Sequence, residues 1–350
     1  MHRVLVTAVG GNIGQGVVKA LRAGQREYFI VGTDMEPRSA GFSVVDRPAV
    51  TPGAGDPALS ATLMNLIRAE RLEAIFVCSP AELEFFSREQ AALEAATGVR
   101  VLVNPASVIR IGQDKYETAV FLAERGFAGP ETALASDRAA VDRVIERWGF
   151  PVIVKPRGGW TAVNVFRLDT RDAIEAARVL VRDLVVQRYL PDAGEEFTAG
   201  VVGSAASGAF AWIGLRRDLV QGTTYRTELV QDAAVGAQMV ALAQALGVEG
   251  TCNFQFRLVD GQPSVFEINP RFSGTSGIRY LYGFNDPEMV FEHACLGQPI
   301  EQPALRPGVV MRYWNEVHVP GASFGSIRSG ASAIGTPMTL PPPRPQIGGS

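Results

Sequence analysis

Residues 252–276, CNFQFRLVDGQPSVFEINPRFSGTS, hold two stretches of alternating apolar residues on either side of Asp260-Gly261. That pattern predicts a β-hairpin closed by a short loop. A three-residue loop over 260–262 puts Gln255 opposite Glu267 and Asn253 opposite Asn269. The polar side chains then share one face, and Cys252, Phe254, Phe256, Phe266 and Ile268 share the other, which is core-like. A slip of one residue would mix the two faces, so the pattern argues for this register. The polar face presents Gln255, Glu267 and Asn269, three oxygen donors with one formal charge among them. Hard oxygen ligands of this kind suit Mg2+ or Mn2+, ions that share their shell with waters and with the phosphates of a bound substrate. Arg271 stands two residues further on, placed to meet negative charge as it develops. A solvated polar face is the plain alternative for any one hairpin.

Working outward, the composition sharpens the choice. The chain has 350 residues, is 47% hydrophobic and 20% charged, and carries a formal charge of −3, which is ordinary for a globular protein and gives no basic footprint for nucleic acid. The length is ample for two domains. No apolar run reaches membrane-spanning length, and the N-terminal MHRVLVTAVGG enters a strand with no signal-like stretch, so a cytoplasmic protein is expected. Cys78, Cys252 and Cys295 have neither ligand spacing nor an even-numbered framework and read as buried thiols. Of 33 basic residues, only Lys19, Lys115 and Lys155 are lysine. A compact ammonium is the usual point-charge partner of nucleotide phosphates, so each lysine calls for its own account.

The chain opens with an apolar strand over 3–9, the glycine-rich turn Gly10-Gly11-Asn12-Ile13-Gly14-Gln15-Gly16, a helix to about 23, and a strand over 29–33 that ends at Asp34. This βαβ opening predicts a Rossmann-like sheet. The glycine spacing also raises a nicotinamide cofactor, against which stands the lack of any tyrosine with a lysine four residues later. Helices over 59–70 and 82–97 alternate with strands over 74–78 and 99–103, which implies a parallel sheet. Glu82 and Glu84 follow a strand's carboxyl end, where open α/β sheets bind ligands, although a helix N-terminus favours acids in any case.

A helix is expected from 113 to 126 with Asp114 as its cap, and a strand over 152–155 presents Lys155 at its end. Gly158-Gly159 then gives a flexible loop whose amides can close over phosphate. A strand over 184–190, LVVQRYL, and another over 199–202 flank PDAGEEFT. A long apolar-striped helix spans 231–246, a further helix 289–296 and a last strand 309–317. From 320 to 350 there are twelve Pro or Gly and neither lysine nor acid, which reads as a poorly ordered tail.

The hairpin NFQF…VFEINPRFSG, with DKYETAVFL and PVIVKPRGGW before it, resembles the ATP-grasp superfamily, in particular its carbamoyl phosphate synthase-like and carboxylate-amine ligase branch. The resemblance covers about 1–317. It implies an α/β fold, α+β in the catalytic part: a Rossmann-like pre-ATP-grasp domain over 1–110 that helps bind the second substrate, then a two-lobed ATP-grasp domain over 111–318 with lobes of about 111–186 and 187–318, then the tail from 319 to 350. It implies ATP with two Mg2+ or Mn2+ ions. Lys115 and Lys155 would neutralise the phosphates beneath Gly158 and Gly159. Gln187, Arg188, Tyr189 and Leu190 would line the adenine and Glu196 would meet the ribose. Gln255, Glu267 and Asn269 would hold metal, with Arg271 and Lys155 catalytic. The segment around Arg216, Arg217 and Arg226, and Ser273, Gly274 and Arg279 beyond Arg271, lie where substrate is expected. Many relatives have an acid where Arg188 stands, and the loop continuing Trp160-Thr161-Ala162-Val163 departs from the small and basic residues common there. The implied reaction joins a small-molecule carboxylate to an amine through an acyl phosphate, with neither nucleic acid nor membrane as partner, and a homodimer is compatible with it. Phosphorylation of bicarbonate or carbamate, and a nicotinamide-binding or non-catalytic Rossmann protein, are the alternatives.

Overall fold

A computed structural model describes residues 1–159, 164–190 and 195–319, together with 326 and 338–339. The N-terminal part contains β1 (His2–Val6), α1 (Asn12–Ala23), β2 (Tyr28–Asp34), β3 (Arg47–Val50), α2 (Ala58–Glu70), β4 (Ala74–Phe76), α3 (Leu83–Thr97) and β5 (Arg100–Leu102). Its five strands are all parallel in the order β3-β2-β1-β4-β5. Strands buried on both faces need unbroken apolar runs, and Val4, Leu5 and Val6 are fully covered. Strand β3, RPAV, carries no such run and a proline, which only an edge strand tolerates. No apolar period marks it in the sequence.

The two faces of this sheet enter different cores. Leu5, Val31 and Ile75 pack with Leu63, Ile67, Phe86 and Leu93 of α2 and α3. Val4, Val6, Ile30 and Phe76 pack with α1 and also with Phe272, Phe284, Phe291 and Ile213 from the far end of the chain. Phe76 lies 5.4 Å from Phe272, ring centre to ring centre. The second core thus joins the N-terminal sheet to the C-terminal one.

A four-stranded antiparallel sheet follows, in the order β6-β9-β7-β8, after α4 (Ala106–Gln113) and α5 (Lys115–Glu124). It comprises β6 (Thr132–Leu134), α6 (Arg138–Trp148), β7 (Val152–Pro156), β8 (Phe166–Leu168), α7 (Arg171–Leu180) and β9 (Leu184–Arg188). Asp114 caps α5, accepting from the amides of Tyr116 at 2.9 Å and Glu117 at 3.1 Å. This sheet has a core of its own, built from Ala133, Val144, Val152, Val154, Ile174 and Val186.

The remainder is β10 (Glu196–Ser204), β11 (Ala209–Val220), β12 (Thr223–Val230), α8 (Ala233–Leu246), β13 (Glu249–Val259), β14 (Gln262–Asn269), α9 (Ser276–Leu281), α10 (Asp286–Leu296) and β15 (Val309–Met311). Six antiparallel strands run β14-β13-β10-β11-β12-β15, and Val235, Met239 and Leu242 of α8 cover one face with Phe254, Phe256 and Ile268. Burying each of these large side chains contributes roughly 1.5–3 kcal/mol. The last strand expected over 309–317 stops at Met311, and Val317–His318 pairs instead with Met338–Thr339. The rest of the expected tail lies outside the described residues. Cys78 and Cys252 are buried, whereas Cys295 is half-exposed. No helix among the described residues is long and apolar enough to cross a membrane.

Candidate active site

The β13–β14 hairpin pairs Asn253 with Asn269 and Gln255 with Glu267, as the apolar alternation predicts. It reaches that register by a different route. The loop is two residues, Asp260 at φ 51° and Gly261 at φ 77°, the left-handed pair that a type I′ turn requires. A β-bulge at Phe266 restores the offset, since Gln255 pairs with Glu267 while Phe256 pairs with Val265. The bulge corrects the facing of one side chain. Val265, not Phe266, enters the core, and Phe266 lines a cleft.

That cleft, of about 270 Å³, lies between the four-stranded and six-stranded sheets. Around it stand Lys115, Lys155, Gly159, Gln187, Arg188, Tyr189, Leu190, Glu196, Gln255 and Glu267, with Arg217, Arg257 and Phe266. Lys155, on β7, is 6% exposed. Its Nζ is 3.5 Å from the Phe266 carbonyl and 5.7 Å from that ring's centre. Burial draws its pKa down to about 8, and Lys115 adds to the drop against the pull of Glu267 and Glu196. Lys115 donates to the Gly159 carbonyl at 2.9 Å, and it too is held below its ordinary value, by burial first, with Glu267 and Asp114 opposing. With Glu196 paired to Arg217, the two lysines with depressed pKa values stand around Glu267 and leave positive charge for an anionic ligand.

On the oxygen face, Asn269 donates to Glu267 Oε1 at 2.9 Å, and Arg271 donates to Asn269 Oδ1 at 2.8 Å and to the Phe272 carbonyl at 2.9 Å. Burial lowers the Arg271 pKa to about 10, opposed by Glu267. Arg217 joins Glu196 to Gln255, donating to Gln255 Oε1 at 2.8 Å. Among the described residues no three His, Cys, Asp or Glu side chains cluster as a protein-only metal cage. Glu267 and Gln255 line the cleft and fit a cation that takes most of its ligands from phosphate and water, whereas Asn269 is buried outside the cleft lining with Oδ1 turned to Arg271.

Other contacts fix or remove expected residues. Gln187 is buried and turns its amide to Thr132 Oγ1 at 2.9 Å. The guanidinium of Arg188 stacks 3.4 Å above the Trp148 ring, while its backbone amide donates to the Glu131 carbonyl at 2.8 Å. Gly158 borders a second groove, of about 710 Å³, shared with Arg88, Arg110 and Asp114. Arg226 is largely exposed and faces Asp218 at 3.7 Å, outside the cleft lining. Ser273 Oγ lies 2.9 Å from Thr275 Oγ1, and the Gly274 carbonyl accepts from Arg312. Arg279 is 0% exposed, paired with Asp286 at 3.1 Å and bonded to Asn253, so it is sealed from any ligand. Residues 160–163 lie outside those described. The in-register pairing of Glu196 with Arg217 across β10 and β11 sets up the Arg217 bridge, a contact that the sequence reading does not contain.

Among the glycines of the first turn, Gly14 has a structural reason. A Cβ on Gly14 would lie 2.5 Å from the Ala8 carbonyl, a clash, whereas one on Gly16 would make only ordinary contact, 3.5 Å from the Ser273 carbonyl. Asp34, the acid that a dinucleotide ribose would need, accepts from the amides of Gly10 at 2.7 Å and Glu36 at 2.9 Å.

Two family models match: a RimK-like ATP-grasp domain over 112–243 and "ATP-grasp in the biosynthetic pathway with Ter operon" over 180–317. The carbamoyl phosphate synthase large chain of Gemmatimonas aurantiaca is 29% identical over 303 residues, 78% of this chain and 26% of that one. The chain spans about a quarter of the length of the curated relatives first matched. N5-carboxyaminoimidazole synthetase from Staphylococcus aureus complexed with ADP aligns with TM-score 0.69 at 16% identity, covering 89% of this chain and 82% of that one. An L-amino acid ligase from Bacillus licheniformis aligns with TM-score 0.64 at 18% identity, covering 86% and 75%. At such identities these two likenesses are of fold alone. With a cleft ringed by lysines and an oxygen-donor hairpin, and family matches running from 112 to 317, the chain belongs to the ATP-grasp superfamily.

Proposed function

We propose that the chain is an ATP-dependent carboxylate-amine ligase, with a Rossmann-like domain over 1–110 and an ATP-grasp domain over 111–318. The observation that carries the reading is the convergence of Lys115, Lys155, Gln255 and Glu267 on one cleft. ATP occupies it with its phosphates toward the two ammonium groups and its base beside 187–190, and Glu196 takes the ribose. Gln255 and Glu267 hold Mg2+, which when bound neutralises phosphate charge. A substrate carboxylate oxygen bonds to the γ-phosphorus as ADP leaves. The amine then attacks the acyl carbon, phosphate departs, and the amine's proton goes to solvent. Arg271, fixed by Asn269 and the Phe272 carbonyl, holds a cation where negative charge gathers.

Release of ADP, screened against pooled carboxylates and amines, tests the proposal, with Glu267→Ala as control. Turnover in the wild type and none in a folded Glu267→Ala is expected. Full activity in the variant would refute the metal assignment. The likeness to carbamoyl phosphate synthase favours, as a second reading, phosphorylation of bicarbonate, and ADP release with bicarbonate alone would select it. NAD binding without ATP binding would overturn both.

A further inference from the structure

A guanidinium joins the sugar end of the cleft to its metal end. Arg217 stands on β11, and its register partner on β10 is Glu196. One strand further, β13 carries Gln255, which pairs with Thr198 of β10. Two strand spacings, roughly 10 Å, therefore separate the backbones that bear Arg217 and Gln255. The side chains bridge that span. Nε of Arg217 donates to Glu196 Oε1 at 3.2 Å, and Nη2 donates to the same oxygen and to Gln255 Oε1 at 2.8 Å. Nη1 donates to Thr224 Oγ1 at 3.3 Å, so all three nitrogens are engaged, and the side chain is only 8% exposed. Its neighbour Arg216 is the contrast. Half-exposed, it pairs with Glu195 and Glu228 and stands outside the cleft lining.

An ion pair taken out of water adds little to stability, because desolvation offsets the attraction. The partners of this one have a further consequence. A guanidinium donates and cannot accept, so the part of the Gln255 amide that faces Arg217 must be its oxygen. A carbonyl oxygen has two lone pairs, and Arg217 leaves one of them for a cation. On Glu196 both bonds fall on Oε1, while Oε2, 3.7 Å from Arg257, keeps acceptor capacity for hydroxyls.

On the reading of Glu196 as ribose acceptor and Gln255 as metal ligand, on which the inference rests, we propose that Arg217 is a positioning residue. One guanidinium aims Glu196 at the sugar hydroxyls and Gln255 Oε1 at the metal, so that sugar and metal are bound as a unit. Outer partners of this kind hold ligating atoms in the orientation that binding needs. Fixing Glu196 fixes the guanidinium and with it Gln255, and such coupling runs equally in both directions.

ADP and 2′,3′-dideoxy-ADP carry the same charge, so the simple electrostatic pull of Arg217 cancels in the ratio of their affinities. Calorimetric titration of the full chain with each nucleotide, without metal and with Mn2+, would be run for wild type, Arg217→Lys and Arg217→Met. The wild type is expected to prefer ADP by about tenfold or more, the worth of one charge-assisted hydrogen bond. Mn2+ should widen that preference by about fivefold or more. In Arg217→Met the preference should fall toward one and lose its response to Mn2+. Arg217→Lys keeps the charge but lacks the planar fork that spans both oxygens, so it should still bind both nucleotides while losing the Mn2+ response. A wild-type preference that is the same with and without Mn2+ would overturn the proposal whether or not the variants fold. So would an Mn2+ response that survives in either folded variant, or an equal loss of affinity for both nucleotides in Arg217→Met, which would make Arg217 one more cation of the cleft. Failure of the wild type to bind either nucleotide would instead remove the nucleotide reading itself, and the positioning role with it.

Discussion

Replacing Lys155 with methionine separates what this side chain costs the fold from what it gives a ligand. Methionine keeps an unbranched stem against Phe266 and removes the charge. A fall in pKa from 10.5 to about 8 means that the folded chain disfavours the ammonium by roughly 3 kcal/mol. The sign follows from linkage. Below pH 8 the lysine is charged in both states and the full penalty applies. Between 8 and 10.5 the folded side chain is neutral while the unfolded one stays protonated, and the penalty fades. Above 10.5 it is gone. Structural relaxation and the lost contact with the Phe266 carbonyl reduce the net gain, so Lys155→Met should be more stable than wild type by about 1–2 kcal/mol at pH 7, with the difference vanishing near pH 10.5. Binding should move the other way. A charge-assisted bond to phosphate is worth roughly 1.5–3 kcal/mol, so MgADP should bind about ten- to a hundredfold more weakly. Urea unfolding at pH 7 and pH 10, with calorimetric titration of MgADP, reads both quantities. A variant less stable at pH 7 with unchanged MgADP affinity would refute the reasoning, because Lys155 would then be a structural cation.

Arg279→Met alone should cost about 3–5 kcal/mol in urea unfolding, since it strands Asp286 in the interior, and Arg279→Met with Asp286→Leu should recover most of that loss. Gly200→Ala should be damaging by the same route, because its Cβ would lie 2.3 Å from the Arg279 guanidinium carbon, and circular dichroism melting would show it. Glu82 provides a pH test. Burial, with the charge of Asp34 adding to it and Thr7 opposing, raises its carboxyl to about 7. The folded state therefore holds this proton more tightly than the unfolded one. That contribution is complete below pH 4.5 and is lost as pH climbs through 7, so Glu82→Gln should flatten the stability profile between pH 4.5 and 7 by about 1–2 kcal/mol relative to wild type.

The register of the β13–β14 hairpin was legible because its apolar period leaves no other solution. The bulge at Phe266 was not legible, because a two-residue turn plus an extra residue and a three-residue turn predict the same Gln255–Glu267 pair. The two differ only in where Phe266 points, and a phenylalanine suits a core and a ligand cleft equally well. The Rossmann-like opening was plain in its βαβ rhythm, and β3 was hidden by its proline. Residues 187–190 were found as a strand end, but the stacking of Arg188 on Trp148 joins β9 to the end of α6, a contact that no local pattern encodes. Arg279 misled for a related reason. An arginine near a substrate loop reads as exposed until Asp286 and Asn253 are seen to enclose it.

The separateness of the core inside β6, β7, β8 and β9 has a mechanical consequence. Tilting the N-terminal sheet against the six-stranded one would part Phe76 from Phe272 and open a shared interior to water. Tilting the four-stranded sheet breaks no buried cluster, since Val152, Val154 and Val186 keep their own neighbours wherever the sheet as a whole is carried. Whatever clamps down on an occupant of the cleft at little energetic cost is therefore the piece that bears Lys155, which would arrive with the motion while Glu267 stays still.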